Sequence, residues 1–163
     1  ASEDKRFFRH PGFDLIAIMR AVYRFCTRRK IEGASTIEQQ LVRTITGHNE
    51  RSYRRKINEI ILALWCSSAL DKKTIATIYL HNAYFGWRAT GFQNALKRPE
   101  FLGATNAETA ANLAASLRYP IARTESDKRR RDRERRVAFI LKRMARSNRA
   151  SVSAASWSNR ELS

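Results

Sequence analysis

Apolar residues recur at helical intervals along most of the chain. From Asp14 onward, Leu15, Ile18, Met19, Val22, Phe25 and Cys26 follow one another at spacings of mostly three and four, and a Lys/Arg cluster near Arg29 closes the pattern, which predicts an amphipathic helix. After Gly33, the run Ser35-Thr36-Ile37-Glu38 reads as a capping box with Glu38 as the returning partner. It opens a second helix with Ile37, Leu41, Val42 and Ile45 on its apolar face and Gly47 at its end. A third helix is expected from about Ser52 to Leu70, with Tyr53, Ile57, Ile60, Ile61 and Leu64 inward. Asp71 then caps a fourth that carries Ile75, Ile78 and Tyr79.

The next stretch, punctuated by Gly86, Gly91, Pro99 and Gly103, reads as a loop. Thr105-Asn106-Ala107-Glu108 offers another capping box, followed by an alanine-rich helix to Leu117 that Pro120 stops. A last helix spans Ser126 to Arg146, with Val137, Ile140, Leu141 and Met144 on one side and arginines on the other. Residues 147–163 are rich in Ser, Ala and Asn without sustained periodicity and are expected to form a polar tail. No segment alternates as a strand and no repeat is visible, so the expected class is mainly α, with one domain over 1–146 and the tail over 147–163.

Composition narrows the partners. At 163 residues with 43% apolar side chains the chain can bury one core. Its 32 Lys and Arg against 15 acids give a formal charge of +17, which favours phosphates, nucleic acid or anionic lipid head groups. Cys26 and Cys66 lie within apolar helical patterns without metal-type spacing, so buried free thiols are expected. No apolar run approaches the roughly 18 residues that span a bilayer, and no signal-peptide pattern is present. Because the chain opens at Ala1 directly on a motif, a fragment that lacks upstream residues is expected, with a membrane anchor among them left open.

Three segments concentrate chemistry. The first runs from Glu3 to Asp14 and crowds Glu3, Asp4, Phe7 and His10 just before a helix. The second, from Gly33 to Arg43, is a helix start whose free amide groups favour anions and whose Gln39 and Gln40 suit sugar hydroxyls or phosphate oxygens. The third, from Arg51 to Glu59, sets Arg55 four residues before Glu59, a cluster able to bind pyrophosphate and keep a carboxylate ionised beside it.

In order and spacing these segments resemble the peptidoglycan glycosyltransferase family, family fifty-one of the glycosyltransferases. Glu3-Asp4 with Phe7, His10, Gly12 and Asp14 matches the first family motif, E-D-x-x-F-x-x-H-x-G-x-D. Gly33 to Arg43 is similar to the second, G-G-S-T-I-T-Q-Q-L-x-K, and Arg55-Lys56-Ile57-Asn58-Glu59 matches the third, R-K-x-x-E. Lys72, Tyr79-Leu80, Tyr84-Phe85-Gly86 and Gly91 match the stretch beyond, and Glu108, Ala110, Leu113-Ala114 and Pro120 its late elements. The chain departs from the pattern at Ala34 for Gly, Glu38 for a small hydroxyl residue, Arg43 for Lys, Thr44 for Asn and His81 for Asn. Ser67 stands where the third-motif helix often carries an acid.

The resemblance implies a lysozyme-like helical domain that transfers a glycan, with inversion, from an undecaprenyl-pyrophosphate donor to the 4-hydroxyl of lipid II. Glu3 would be the general base and Glu59 would position the donor. Arg43, Arg51, Arg55 and Lys56 would neutralise the pyrophosphate, while Asp4, Phe7, His10, Ser35, Thr36, Gln39 and Gln40 would line the substrate site. The implied partners are lipid II or a related lipid-linked saccharide, the growing glycan strand and an anionic membrane surface, with no nucleic acid. The implied location is a bacterial inner membrane, on its periplasmic or extracellular face. No cofactor is required, a divalent cation at the pyrophosphate being optional. Competing readings are a family member with another lipid-linked substrate or lost activity, a lysozyme-like hydrolase, which would not need the basic cluster, and a nucleic-acid module supported by charge alone.

Overall fold

Helix starts follow the side chains that satisfy the first unpaired amide groups. Asp14 accepts from the Ala17 amide at the head of α1 (Leu15–Arg28), and Thr36 from that of Gln39 at the head of α2 (Ile37–Thr46). Ser52 accepts from Arg55 at α3 (Tyr53–Ala69), and Asp71 from Lys73 and Thr74 at α4 (Lys72–Asn82). In this computed structural model the described residues are 4–29, 33–47, 50, 52–101 and 104–158, with side chains described except at 100 and 148–158. The chain falls into two compact units, 1–83 and 84–163.

In the first unit α2 packs against α3 and α4, and its core holds Phe7, Ile37, Leu41, Ala63, Ile75 and Tyr79. Gly12, at φ +111°, lies so close to α3 that a Cβ there would come within 2.5 Å of the Ala63 carbonyl oxygen. That approach seats the segment before α1 on α3, which only glycine permits.

Two helices of this unit correct the expected faces. No residue of α1 is buried, and its apolar side is open: Leu15, Met19, Val22 and Phe25 are each more than half exposed. On α3 the inward residues are Glu59 and Ala63, while Tyr53, Ile57, Ile61 and Leu64 face outward. The polar edge of α3 is drawn inward by the ion pairs described below, which leaves its apolar residues uncovered. Neither thiol is buried as expected: Cys26 is exposed and Cys66 half-buried, both free, with burial pushing the Cys66 thiol up.

The second unit begins with a small antiparallel hairpin, β1 (Tyr84–Gly86) and β2 (Ala89–Thr90), followed by α5 (Phe92–Leu96). The stretch read as a loop is therefore structured, with strands too short to show alternation. Gly86 bridges to Ile121, and a Cβ on it would meet the Ile121 carbonyl oxygen at 2.4 Å. α6 (Asn106–Arg118) opens on the reciprocal Thr105–Glu108 capping box, as its sequence predicts. α7 (Asp127–Ser158) lays Val137, Ile140, Leu141 and Met144 against Ala111, Ala114 and Ala115 of α6. It continues past Arg146, where a loose tail was expected, because residues 147–158 contain neither proline nor glycine and include the strong helix former Ala.

Candidate active site

The segment leading into α1 is fastened to the head of α2 by one carboxylate. Asp4 is buried and accepts from the Arg6 amide at 3.1 Å, from His10 Nε2 at 2.9 Å and from the Ile37 amide at 3.3 Å. It thereby serves an unpaired amide in the first turn of α2, where negative charge is favoured. The Gly12 amide donates to His10 Nδ1 at 3.3 Å, which leaves the ring proton on Nε2, facing Asp4. Thr36 completes the fastening by donating to the Gly12 carbonyl at 2.7 Å. Phe7 is buried in the core with its ring edge-on to His10.

Across from this segment, α2 and α3 bring their charges together. Glu59 is buried and holds three cations: Arg43 donates from Nε at 2.8 Å and from Nη2 at 3.1 Å, Arg55 from Nη1 at 2.6 Å, and Lys56 Nζ lies 3.6 Å away. The i, i+4 spacing on α3 delivers Arg55, and the packing of α2 on α3 delivers Arg43. Lys56 reaches further, donating to Ser35 Oγ at 3.0 Å and to Gln39 Oε1. Gln39 is buried, and Gln40 accepts from the Tyr79 hydroxyl at 2.8 Å. A cleft of about 320 Å³ opens beside the cluster, lined by Glu59, Arg55, Arg54, Asn58, Ser52 and Glu50 among others.

At Glu59 the neighbouring cations together outweigh burial, whereas at Lys56 burial wins over the attraction of Glu59. Burial pushes the Glu59 carboxyl up, but the hydrogen bond and charge of Arg43, with the charges of Lys56 and Arg55, outweigh it and hold Glu59 below the usual range. Lys56 is lowered, chiefly by burial and further by repulsion from Arg43 and Arg55, against the pull of Glu59. Arg43 is raised by its hydrogen bond to Glu59. The result is one anion under three cations, of which Arg55 also lines the cleft together with Glu59.

The structure thus gathers Ser35, Gln39, Arg43, Arg55, Lys56 and Glu59 in one cluster, and Asp4, Phe7, His10 and Thr36 in a second that seats the helix head, with Gln40 bonded to Tyr79. Glu3 and Arg51 lie outside the described residues. One reading needs correction: the cap of α2 is Thr36, paired with the Gln39 amide, and Glu38 is not its returning partner. Glu38 is instead fully buried and accepts from Lys72 on α4, with Ser67 Oγ at 3.4 Å. The signal was present in the sequence, since Glu38 precedes Leu41, Val42 and Ile45 by three, four and seven residues and so shares their apolar face. Lys72 and Ser67 are joined to it only by folding.

Among the described residues, neither cluster offers an open donor set for a resident metal. Asp4, His10 and Glu38 place ligand atoms within 4.8 Å of one another, but both ring nitrogens of His10 are already committed, one accepting from Gly12 and one donating to Asp4. The oxygens of Glu59 are held by guanidinium groups.

Comparison with known proteins places the chain. Aligned segments share 42% identity over 95 residues with penicillin-binding protein 1A of Rickettsia typhi, covering 56% of this chain and 12% of that protein. Penicillin-binding protein 1A of Rickettsia bellii is 42% identical over 99 residues, covering 58% and 12%. A monofunctional glycosyltransferase of Staphylococcus aureus is 40% identical over 84 residues, covering 52% and 31%. The match thus spans less than a third of the length of each of these relatives. The transglycosylase family model matches residues 1–145, and with its mainly α, lysozyme-like architecture the chain belongs to the transglycosylase family and holds a domain of the peptidoglycan glycosyltransferase type.

Proposed function

We propose that the chain polymerises lipid II, joining undecaprenyl-pyrophosphoryl disaccharides into a glycan strand. The observation that carries this reading is the cluster of Arg43, Arg55 and Lys56 around a single buried Glu59 at the edge of a cleft, because a departing pyrophosphate needs several cations at once. In the proposed step the acceptor 4-hydroxyl attacks the donor sugar carbon and the bond to pyrophosphate breaks with inversion. Glu3 takes the hydroxyl proton, a role that requires a carboxylate within hydrogen-bond reach. Glu59 keeps the guanidinium groups aimed, and Arg51 joins them on the phosphates. Ser35 and Gln40 face the sugar and the buried Gln39 holds Lys56, while Asp4, Phe7, His10 and Thr36 hold the segment that carries Glu3. No cofactor is needed, and a divalent ion would only add to the screening of the pyrophosphate.

The same reading puts the domain on an anionic membrane, at the outer face of a bacterial inner membrane. No helix among the described residues is long and apolar enough to cross a bilayer. The open apolar side of α1, ending in the exposed Arg28 and Arg29, has the character of a helix that lies in the lipid interface. α7 offers a further basic surface, in Lys128, Arg129, Arg130 and Arg131. Incubating the purified chain with lipid II in detergent or vesicles, followed by gel separation, tests the activity. Formation of a polymer ladder supports it, and recovery of unchanged lipid II removes it.

A further inference from the structure

The buried acid of α2 is left unused by the transfer step. Glu38 is fully buried, and Lys72 on α4 donates to its Oε1. Ser67 Oγ on α3 stands 3.4 Å from that oxygen and 3.4 Å from Lys72 Nζ. The other oxygen, Oε2, is buried with no hydrogen-bond partner among the described residues. An ionised carboxylate removed from water is tolerated only when a cation and hydrogen bonds compensate it, and here one lysine supplies most of that compensation. The lysine has a second task, for its ammonium lies 4.9 Å over the ring of Phe7. Phe7 belongs to the segment of Asp4 and His10, whose polar atoms lie within 4.8 Å of the Glu38 carboxylate.

We infer that Glu38 is a positioning residue, acting through Lys72 and Phe7 to seat the Asp4–His10 segment, and that its charge is exchangeable with position 67. The hydroxyl of Ser67 lies at the same distance from both members of the ion pair, so a carboxylate at 67 meets the same ammonium from the α3 side. A hydroxyl at 38 then takes over the part that Ser67 plays now. Seen this way, the acid at 38 and the hydroxyl at 67 are one change: a single carboxylate relocated from α3 to α2 around a fixed Lys72. Relocation brings that charge within 4.8 Å of the polar atoms of Asp4 and His10, so the seating of the segment comes to depend on Lys72 remaining bound to Glu38.

The test is a cycle of four proteins: the parent, Glu38→Thr, Ser67→Glu and the double variant. Unfolding midpoints are recorded, with initial rates on lipid II well below every midpoint. Glu38→Thr leaves Lys72 with hydroxyls and no carboxylate, and Ser67→Glu crowds two carboxylates on one ammonium. Each single change is expected to lower the midpoint by several degrees and kcat by about tenfold, with KM within about twofold, while the double variant recovers most of both losses. Additive losses in the double variant would overturn the inference. So would a Glu38→Thr protein with a lower midpoint and an unchanged kcat, since that is a structural role only. Should Glu38→Thr fail to fold, Glu38→Gln keeps the shape without the charge, and the same recovery is expected when Ser67→Glu is added. The rate readout rests on the proposed transferase activity. A parent inactive on lipid II defeats that activity, and the recovery or additivity of the midpoints then decides this inference alone.

Discussion

Arg43 illustrates how a single residue changes meaning between sequence and structure. From its position in the second motif it reads as a phosphate ligand in the place of a lysine, whereas in the fold two of its nitrogens donate to Glu59. A lysine at this position would make one contact with that carboxylate where arginine makes two. Arg43→Lys is therefore expected to lower kcat by a few-fold and Arg43→Ala by about a hundredfold, the order seen when an electrostatic donor is removed. Initial rates on one lipid-linked substrate measure both, and parent-like rates for Arg43→Ala would detach it from the site. Glu59 makes a second prediction, in pH. Its folded carboxyl lies below the ordinary value of 4.5, so the unfolded chain binds the proton more readily. The stabilisation is complete above the ordinary glutamate range and is lost as pH falls through the lowered folded value. Unfolding midpoints of the parent and Glu59→Gln should therefore differ most near neutrality and converge in acid. A constant gap across that range would contradict the assignment.

Helices were legible in the sequence to the extent that their determinants are local. Asp71 and the Thr105–Glu108 box lie within a turn of the amides they serve, so reading along the chain found them as caps, and it placed the starts of α1 and α3 at Asp14 and Ser52, whose capping role the fold adds. Which side of a helix is covered is not local. The apolar rows of α1 and α3 show that a face exists, but the same pattern serves a protein core or a lipid interface, and here those rows lie open. The inward residues of α3 were set instead by Glu59 and its partners on another helix. Phe25→Ser on α1 is expected to leave the unfolding midpoint nearly unchanged, because Phe25 is 58% exposed, and to weaken partitioning onto anionic vesicles by about tenfold. Co-sedimentation that does not change would show that this face meets something other than lipid. At the junction of the first segment with α3, Gly12→Ala forces a Cβ to within 2.5 Å of the Ala63 carbonyl at a positive φ. A stability loss of about 1–3 kcal/mol or more, read from denaturant unfolding, is the expected outcome.

For the molecule as a whole, the three motifs between Glu3 and Glu59, with the later elements as far as Pro120, announced the family before the fold, and they fall within the match of 1–145. Their side chains then divide the work in a way the linear order does not reveal. Part of the first motif and Thr36 lock segments together, while the third motif and the end of the second make a cationic cluster beside a cleft. Glu38, Ser67 and Lys72 are separated by 29 and 34 residues from the acid to its two partners, and only folding unites them. The central claim is that this cluster, with Glu3 as base, elongates glycan from a lipid pyrophosphate. The most direct measurement is lipid II polymerisation followed by gel for the parent, Glu3→Gln and Glu59→Gln at equal concentration. The account predicts a ladder of products from the parent and none from Glu3→Gln, with Glu59→Gln strongly reduced. Equal ladders from all three, or no polymer from the parent, would contradict it.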